Sequence, residues 1–206
     1  MGFPSVLSQA QQLVRDTLRA GEAAIDATAG NGVDTLFLAR IVGPRGKVFA
    51  FDIQQEALDS ARRRFAREQA DDTMVEWLLC SHAEMREAVP AAWHGRIGAV
   101  MFNLGFLPGG NPAVITRKES TLAALEAGAR LLRPGGVLVC VVYPGHPGGA
   151  EEAAAVEEWA RNLPPGEFQT MKVQFLNPAQ PPPYLIAAGK RRRQKDSNEA
   201  AESSNR

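Results

Sequence analysis

Residues 23–35 read AAIDATAGNGVDT, and residues 47–54 read KVFAFDIQ. In the first stretch a short apolar run ends in Asp26 and gives way to Ala27-Thr28-Ala29-Gly30-Asn31-Gly32. Glycines there let the backbone approach a ligand, while the free N–H groups at the start of a following helix point outward. In the second stretch an apolar run ends in Asp52, twenty residues beyond Gly32. In a doubly wound fold a carboxylate at that place takes the two hydroxyls of a ribose. Either glycine alone is compatible with an ordinary strand-to-helix turn; the acid at this spacing argues for a nucleoside ligand.

A dinucleotide loop normally reads G-x-G-x-x-G and turns its helix dipole toward a pyrophosphate. Here the third glycine is absent and Asp26 stands at the mouth of the loop. A carboxylate suits a cationic ligand, so S-adenosylmethionine, with an ammonium, a sulfonium and no phosphate, is favoured over NAD. Asp26, Thr28, Gly30, Asn31, Gly32 and Asp52 are the candidate cofactor-binding residues. Asp34 and Thr35 open the next helix, either as small polar caps or as contacts to the methionine end of the donor. Ser81 and His82, after the third strand, stand where such a fold flanks an adenine.

Working outward, apolar periodicity alternates between helix and strand. Helices are expected over 6–18, 33–43 and 55–70, and strands over 23–28, 47–53, 74–80, 97–103, 136–143, 167–176 and 183–190. The first five strands are nearly continuous in apolar residues, and NPAQPPP separates the last two. The pattern predicts an α/β, Rossmann-like fold: a seven-stranded, mostly parallel sheet with a C-terminal antiparallel hairpin and helices on both faces. Residues 1–190 are expected to form one domain, and 191–206 a disordered basic and polar tail with no large apolar residue.

Ligands in open α/β sheets sit beyond the carboxyl ends of the strands, which brings FNLGFLPGG (102–110) and YPGHPGG (143–149) to the donor crevice. Asn103 offers a carbonyl acceptor, Phe106 a stacking face, and Pro108-Gly109-Gly110 a shaped loop. The segment resembles the N-P-P-Y loop of methyltransferases that modify amino nitrogens, in which the Asn and a backbone carbonyl accept the amine hydrogens. Leu104 and Gly105 replace the two prolines, and Phe106 takes the aromatic place. A protonated amine must lose a proton before it attacks, and Tyr143 and His146 are candidates to orient it or take that proton. A loop-forming role for His146 is an equally valid reading of its glycine- and proline-rich context. His94, in AAWHGR, reads as a surface residue.

The 23 Lys/Arg and 23 Asp/Glu balance, which excludes a protein that holds nucleic acid mainly by bulk positive field. The balance is uneven along the chain: residues 190–206 hold six basic and three acidic residues, leaving the first 189 with 17 and 20. Arg62, Arg63, Arg64 and Arg67 on one helix, and Lys190 to Lys195, are the local clusters available to phosphates. Cys80 and Cys140 sit in apolar runs and read as buried strand residues, without the spacing of a disulfide framework or metal site. With no 18-residue apolar run and with Arg15 and Arg19 late in the N-terminal stretch, the chain is expected to be cytoplasmic, with no membrane partner.

DATAGNGVDTLFLA, FAFDIQ, FNLGFLPGG, TLAALEAGARLLRPGG, YPGHPGGAEE and FLNPAQPPPYL, in this order, are similar to a bacterial family formerly catalogued as rRNA methylases. Its members are class I S-adenosylmethionine-dependent methyltransferases that convert 5-aminomethyl-2-thiouridine to 5-methylaminomethyl-2-thiouridine at the tRNA wobble position. The resemblance covers nearly all of residues 5–190. It implies donor contacts from Asn31, Asp34, Asp52, Gln54, Ser81 and His82, an acceptor pocket from the Asn103 and Tyr143/His146 loops, a tRNA anticodon loop as partner and no metal. A homodimer is left open. So is another acceptor, an rRNA base amine or a small-molecule amine. A nicotinamide-dependent oxidoreductase or a non-catalytic nucleotide-binding module is disfavoured by the short glycine count.

Overall fold

The computed structural model describes residues 2–105, 115–178 and 180–192. Seven strands form one sheet: β1 (Ala23–Asp26), β2 (Lys47–Asp52), β3 (Val75–Leu79), β4 (Ile97–Asn103), β5 (Leu132–Val142), β6 (Phe168–Val173) and β7 (Tyr184–Lys190). Their order is β3-β2-β1-β4-β5-β7-β6. The first five strands pair in parallel, β7 lies antiparallel between β5 and β6, and β6 is an outer strand. Each expected strand is present, most ending within a residue or two of its predicted bounds. The exceptions are β6, which ends at Val173, three residues short, and β5, which begins at Leu132, four residues early, and whose pairing with β4 is irregular between Ile97 and Ala99.

Alternation along the strands builds two apolar layers. Ala23 and Ile25, Phe49 and Phe51, Val100 and Phe102, and Leu138, Cys140 and Val142 face a layer that includes Leu125 and Val156. Ala24, Val48 and Ala50, Ala99 and Met101, and Val137, Val139 and Val141 face the other, which includes Val14, Leu38 and Phe65. The helices sort accordingly: α1 (Val6–Thr17), α2 (Val33–Val42) and α3 (Gln55–Arg67) cover the second layer, while α4 (Met85–Ala88), α5 (Lys118–Leu131) and α6 (Gly149–Asn162) cover the first. Buried on both faces, the central strands could carry no polar alternation, which is why they read as continuous apolar runs.

β3 departs from that expectation. It is an edge strand whose Leu79 is half-exposed and whose Glu76 pairs with Lys47 at 3.0 Å. Cys80 accordingly lies just past the strand and is only partly buried, whereas Cys140 is fully buried within β5. The two are free thiols. Residues 193–206 of the expected tail lie outside the described residues. Among the described residues no helix is long and apolar enough to cross a membrane.

Candidate functional site

Parallel strands deliver their carboxyl ends to one edge of the sheet, and there the loops after β1 to β5 enclose a cavity of about 330 Å³. Thr28, Gly30, Asn31, Asp34, Asp52, Gln54, Ser81, His82, Asn103, Leu104, Gly105, Tyr143 and His146 all line it. Phe106, Pro108, Gly109 and Gly110 lie outside the described residues.

The glycine loop is braced from several directions. Gly32 caps α2 with φ of +75°, in the left-handed region, and a Cβ there would fall 2.7 Å from Cα and Cβ of Ala61 on α3. Glycine is therefore required twice over, by conformation and by space. The Gly30 N–H donates to Asp52 Oδ2 at 2.9 Å, and the Gln54 N–H donates to Oδ1 at 2.9 Å. Asn31 receives the Ser60 hydroxyl on its side-chain oxygen at 2.8 Å and Arg64 Nε on its carbonyl at 2.6 Å. Arg64, expected among residues facing phosphates, thus anchors the loop, and Arg62 pairs with Asp59 and stacks over Trp77.

Asp26 does not stand at the loop's mouth. It is 1% exposed, absent from the cavity wall, and accepts the Thr28 N–H at 3.1 Å and the Thr35 hydroxyl at 2.6 Å. Burial, and next the nearby charge of Asp34, push its carboxyl up to about 7. Held by these two donors, Asp26 shapes the loop from beneath. Thr35 and Gly32 likewise sit behind the wall. Neither Asp34 nor Thr35 caps the helix, because the cap position belongs to Gly32. Asp34 does reach the cavity, where burial raises its carboxyl pKa and the Gln11 side-chain amide donates to it at 2.9 Å.

On the third-strand side, Ser81 accepts the Ala83 N–H and starts a single 3₁₀ turn that presents His82. His82 Nδ1 lies 3.0 Å from the Ala27 carbonyl. A carbonyl can only accept, so Nδ1 carries the proton. Burial lowers the pKa of this imidazole, which favours the neutral ring. Cys80 also lines the cavity, a place its apolar sequence context concealed.

On the acceptor side, the Asn103 N–H donates to the Thr28 hydroxyl at 2.8 Å, tying β4 to the glycine loop and leaving the Asn103 side chain exposed at the cavity. Leu104 is 3% exposed and anchors the turn in the core. Burial, and secondarily the charge of Asp34, raise the Tyr143 phenol pKa, which disfavours phenolate. His146 Nδ1 lies 3.0 Å from the Pro147 carbonyl. His94 is exposed, as expected, with Nε2 2.9 Å from the Val89 carbonyl. Sequence reasoning missed Gln11, Ile53, Ile115, Thr116 and Ser120: Gln11 braces Asp34, and the other four line the wall.

Among the described residues no lysine or arginine lines the cavity, while two carboxylates do. The Gly30 N–H, which a phosphate would need, is already given to Asp52. The arrangement suits a nucleoside ligand with cationic character and disfavours a pyrophosphate. Among those residues, too, no group of three or more His, Cys, Asp or Glu is placed to hold a metal.

The sheet order, with β7 antiparallel between β5 and β6 and the cavity at the carboxyl edge, defines a Rossmann-like class I methyltransferase fold. The family described as "Putative rRNA methylase" matches residues 48–189, and the chain belongs to it. A Clostridium thermocellum crystal structure described as a "putative rRNA-methylase" superposes with a TM-score of 0.86 at 34% identity, covering 92% of this chain and 100% of that one. SMU.1697c from Streptococcus mutans, a "putative methyltransferase" in complex with SAH, gives 0.81 at 32% identity over 92% of this chain and 99% of that one. An Arabidopsis thaliana protein, the chloroplastic tRNA (mnm(5)s(2)U34)-methyltransferase, is 41% identical over 167 residues, 78% of this chain. The chain spans 60% of that relative's length.

Proposed function

We propose that the protein is an S-adenosylmethionine-dependent N-methyltransferase that converts 5-aminomethyl-2-thiouridine to 5-methylaminomethyl-2-thiouridine at the wobble position of tRNA. The observation that carries this reading is the convergence of a phosphate-averse nucleoside site and the Asn103 and Tyr143/His146 loops on one cavity. The 41% identity to the chloroplastic methyltransferase supports the choice of acceptor.

In this reading Asp52 receives the ribose hydroxyls, Gln54 and Ile53 border the sugar and base, His82 and Ser81 flank the adenine, and Asn31 and Asp34 hold the methionine end. The bound donor supplies an electrophilic methyl group on a sulfonium. Asn103 accepts a hydrogen from the substrate amine and directs its lone pair toward that methyl. The nitrogen–carbon bond forms as the sulfur–carbon bond breaks, and the amine proton leaves toward His146 or water. Tyr143, held as the neutral phenol, orients the amine by hydrogen bonding. The rate gain comes mainly from proximity and alignment. An anticodon loop suits such a cavity because its unpaired bases can be splayed into a pocket without duplex readout.

The test is nucleoside mass spectrometry of tRNA from a deletion strain together with methyl transfer by the purified protein into that tRNA. Accumulated 5-aminomethyl-2-thiouridine, converted on addition of protein and donor, is expected. Unchanged nucleosides and methyl transfer only into rRNA or a small amine would overturn the acceptor assignment.

A further inference from the structure

Glu152 is a buried carboxylate, 2% exposed, in the first turn of α6, outside the cavity wall. Among the described residues no lysine or arginine pairs with it. Instead its Oε1 accepts the Thr121 hydroxyl from α5 at 2.6 Å, and its Oε2 accepts the Thr116 hydroxyl at 2.8 Å. Thr116 is in turn clamped to Gly105: the Gly105 N–H donates to Thr116 Oγ1 at 2.9 Å, and the Thr116 N–H donates to the Gly105 carbonyl at 2.9 Å. Gly105, at φ of +115°, directly follows Asn103 and Leu104, and its Cα hydrogen side faces His146, whose Nε2 lies 3.7 Å from where a Cβ would sit. The Glu152 N–H donates to the Gly148 carbonyl, and the Gly149 N–H to that of His146, so the main chain that carries Glu152 starts directly from the His146 loop. The side chain thus ties the loop after β4 to α5, and its backbone joins both to the loop after β5.

A buried carboxylate without a cation is costly, and apolar side chains of similar volume would pack this position without that cost. Here its two oxygens instead hold hydroxyls from two separate elements, Thr116 and Thr121, which an apolar side chain could not do. We infer that Glu152 is a positioning residue for methyl transfer: through Thr116 it sets the distance and angle of the Gly105 turn, and hence of Asn103, relative to His146. The inference rests on the methyltransferase reading above. It places the hydrogen bonds of Glu152 on the acceptor half of the site, whereas the donor half is braced by Asp26, Ser60, Arg64 and Gln11 and feels Glu152 only through its charge near His82.

The experiment compares Glu152→Gln, Thr116→Val and Thr116→Ser with the unaltered protein. S-adenosylhomocysteine affinity is measured by calorimetry, and kcat and KM are measured on tRNA carrying the unmethylated nucleoside. Glu152→Gln keeps the shape but offers only one accepting oxygen for two hydroxyls, and Thr116→Val removes the clamp. Both should lower kcat by about tenfold to a hundredfold, the scale of a small misalignment at the reacting centre. S-adenosylhomocysteine affinity should stay within about twofold, and Thr116→Ser, which keeps the hydroxyl, should restore most of kcat. Amide hydrogen exchange at Gly105 and Thr116 should quicken in Glu152→Gln and Thr116→Val but not in Thr116→Ser. Glu152→Gln with unaltered kcat and KM, or with donor affinity lost in step with kcat, would overturn the positioning role. An unaltered protein that methylates no tRNA would instead overturn the proposed function, and the exchange rates would still decide whether Glu152 sets the Gly105 turn.

Discussion

Asp52 and Gly30 are hydrogen-bonded to one another, the glycine N–H donating to the carboxylate at 2.9 Å. The acid and the loop are thus one device, since the carboxylate that faces the cavity also fixes the turn beside it. Asp52→Ala removes both functions. Loss of a charge-assisted hydrogen bond should weaken S-adenosylhomocysteine binding by at least about tenfold, and the accompanying relaxation of the loop by more. Calorimetry is the check; unaltered affinity would refute the ribose contact.

Gly32→Ala should cost about 3 kcal/mol or more of stability, because a left-handed φ and a backbone clash with Ala61 act together. Chemical denaturation measures it. An effect below about 1 kcal/mol would mean that α2 and α3 can move apart freely.

Asp26 should make stability fall with rising pH. Its carboxyl titrates near 7 in the folded protein against an ordinary value of 3.8, so the folded state binds the extra proton between those limits. Its contribution is complete below about pH 4 and is lost as pH climbs through about 7. Asp26→Asn, which cannot titrate, should show a shallower decline of unfolding free energy between pH 5 and 8. Parallel curves for the two proteins would contradict a raised pKa at this site.

Gln11→Ala should weaken S-adenosylhomocysteine binding by about threefold to tenfold, the worth of one hydrogen bond to a carboxylate at the cavity wall. Fluorescence or calorimetric titration distinguishes this from no change, which would show that Asp34 needs no brace.

The sheet was legible because its signal is local: AAID, KVFAFD and VLVCVV are apolar runs that need no partner to be read as strands, although the early start of β5 at Leu132 follows from its pairing with Ile97. The donor loop was legible for the same reason, since glycines and Asp52 occur at a fixed spacing. Asp26 was legible as present but not as placed, because whether a strand-end carboxylate faces the ligand or tucks beneath the loop depends on Thr35, nine residues away across the turn. Gln11 lies 23 residues from the carboxylate it braces, and Thr116 lies 36 from Glu152. No periodicity links such pairs. Glu152 did leave one trace, since it shares an inward helical stripe with Gly149, Ala153, Val156 and Ala160. An acid on a buried stripe is a cue that apolar patterning alone passes over.

The braces of the donor loop come from α1, α2, α3 and the ends of β2 and β4, so the chain must be folded from Gln11 to Asn103 before all of them are in place. A partly folded intermediate with β1 and β2 paired but α1 undocked would hold the glycine sequence and Asp52, yet leave Asp34 without Gln11. Retention on an immobilised S-adenosylhomocysteine matrix would therefore sort completed molecules from nearly completed ones, and make ligand capture a quality filter on the folding of this chain.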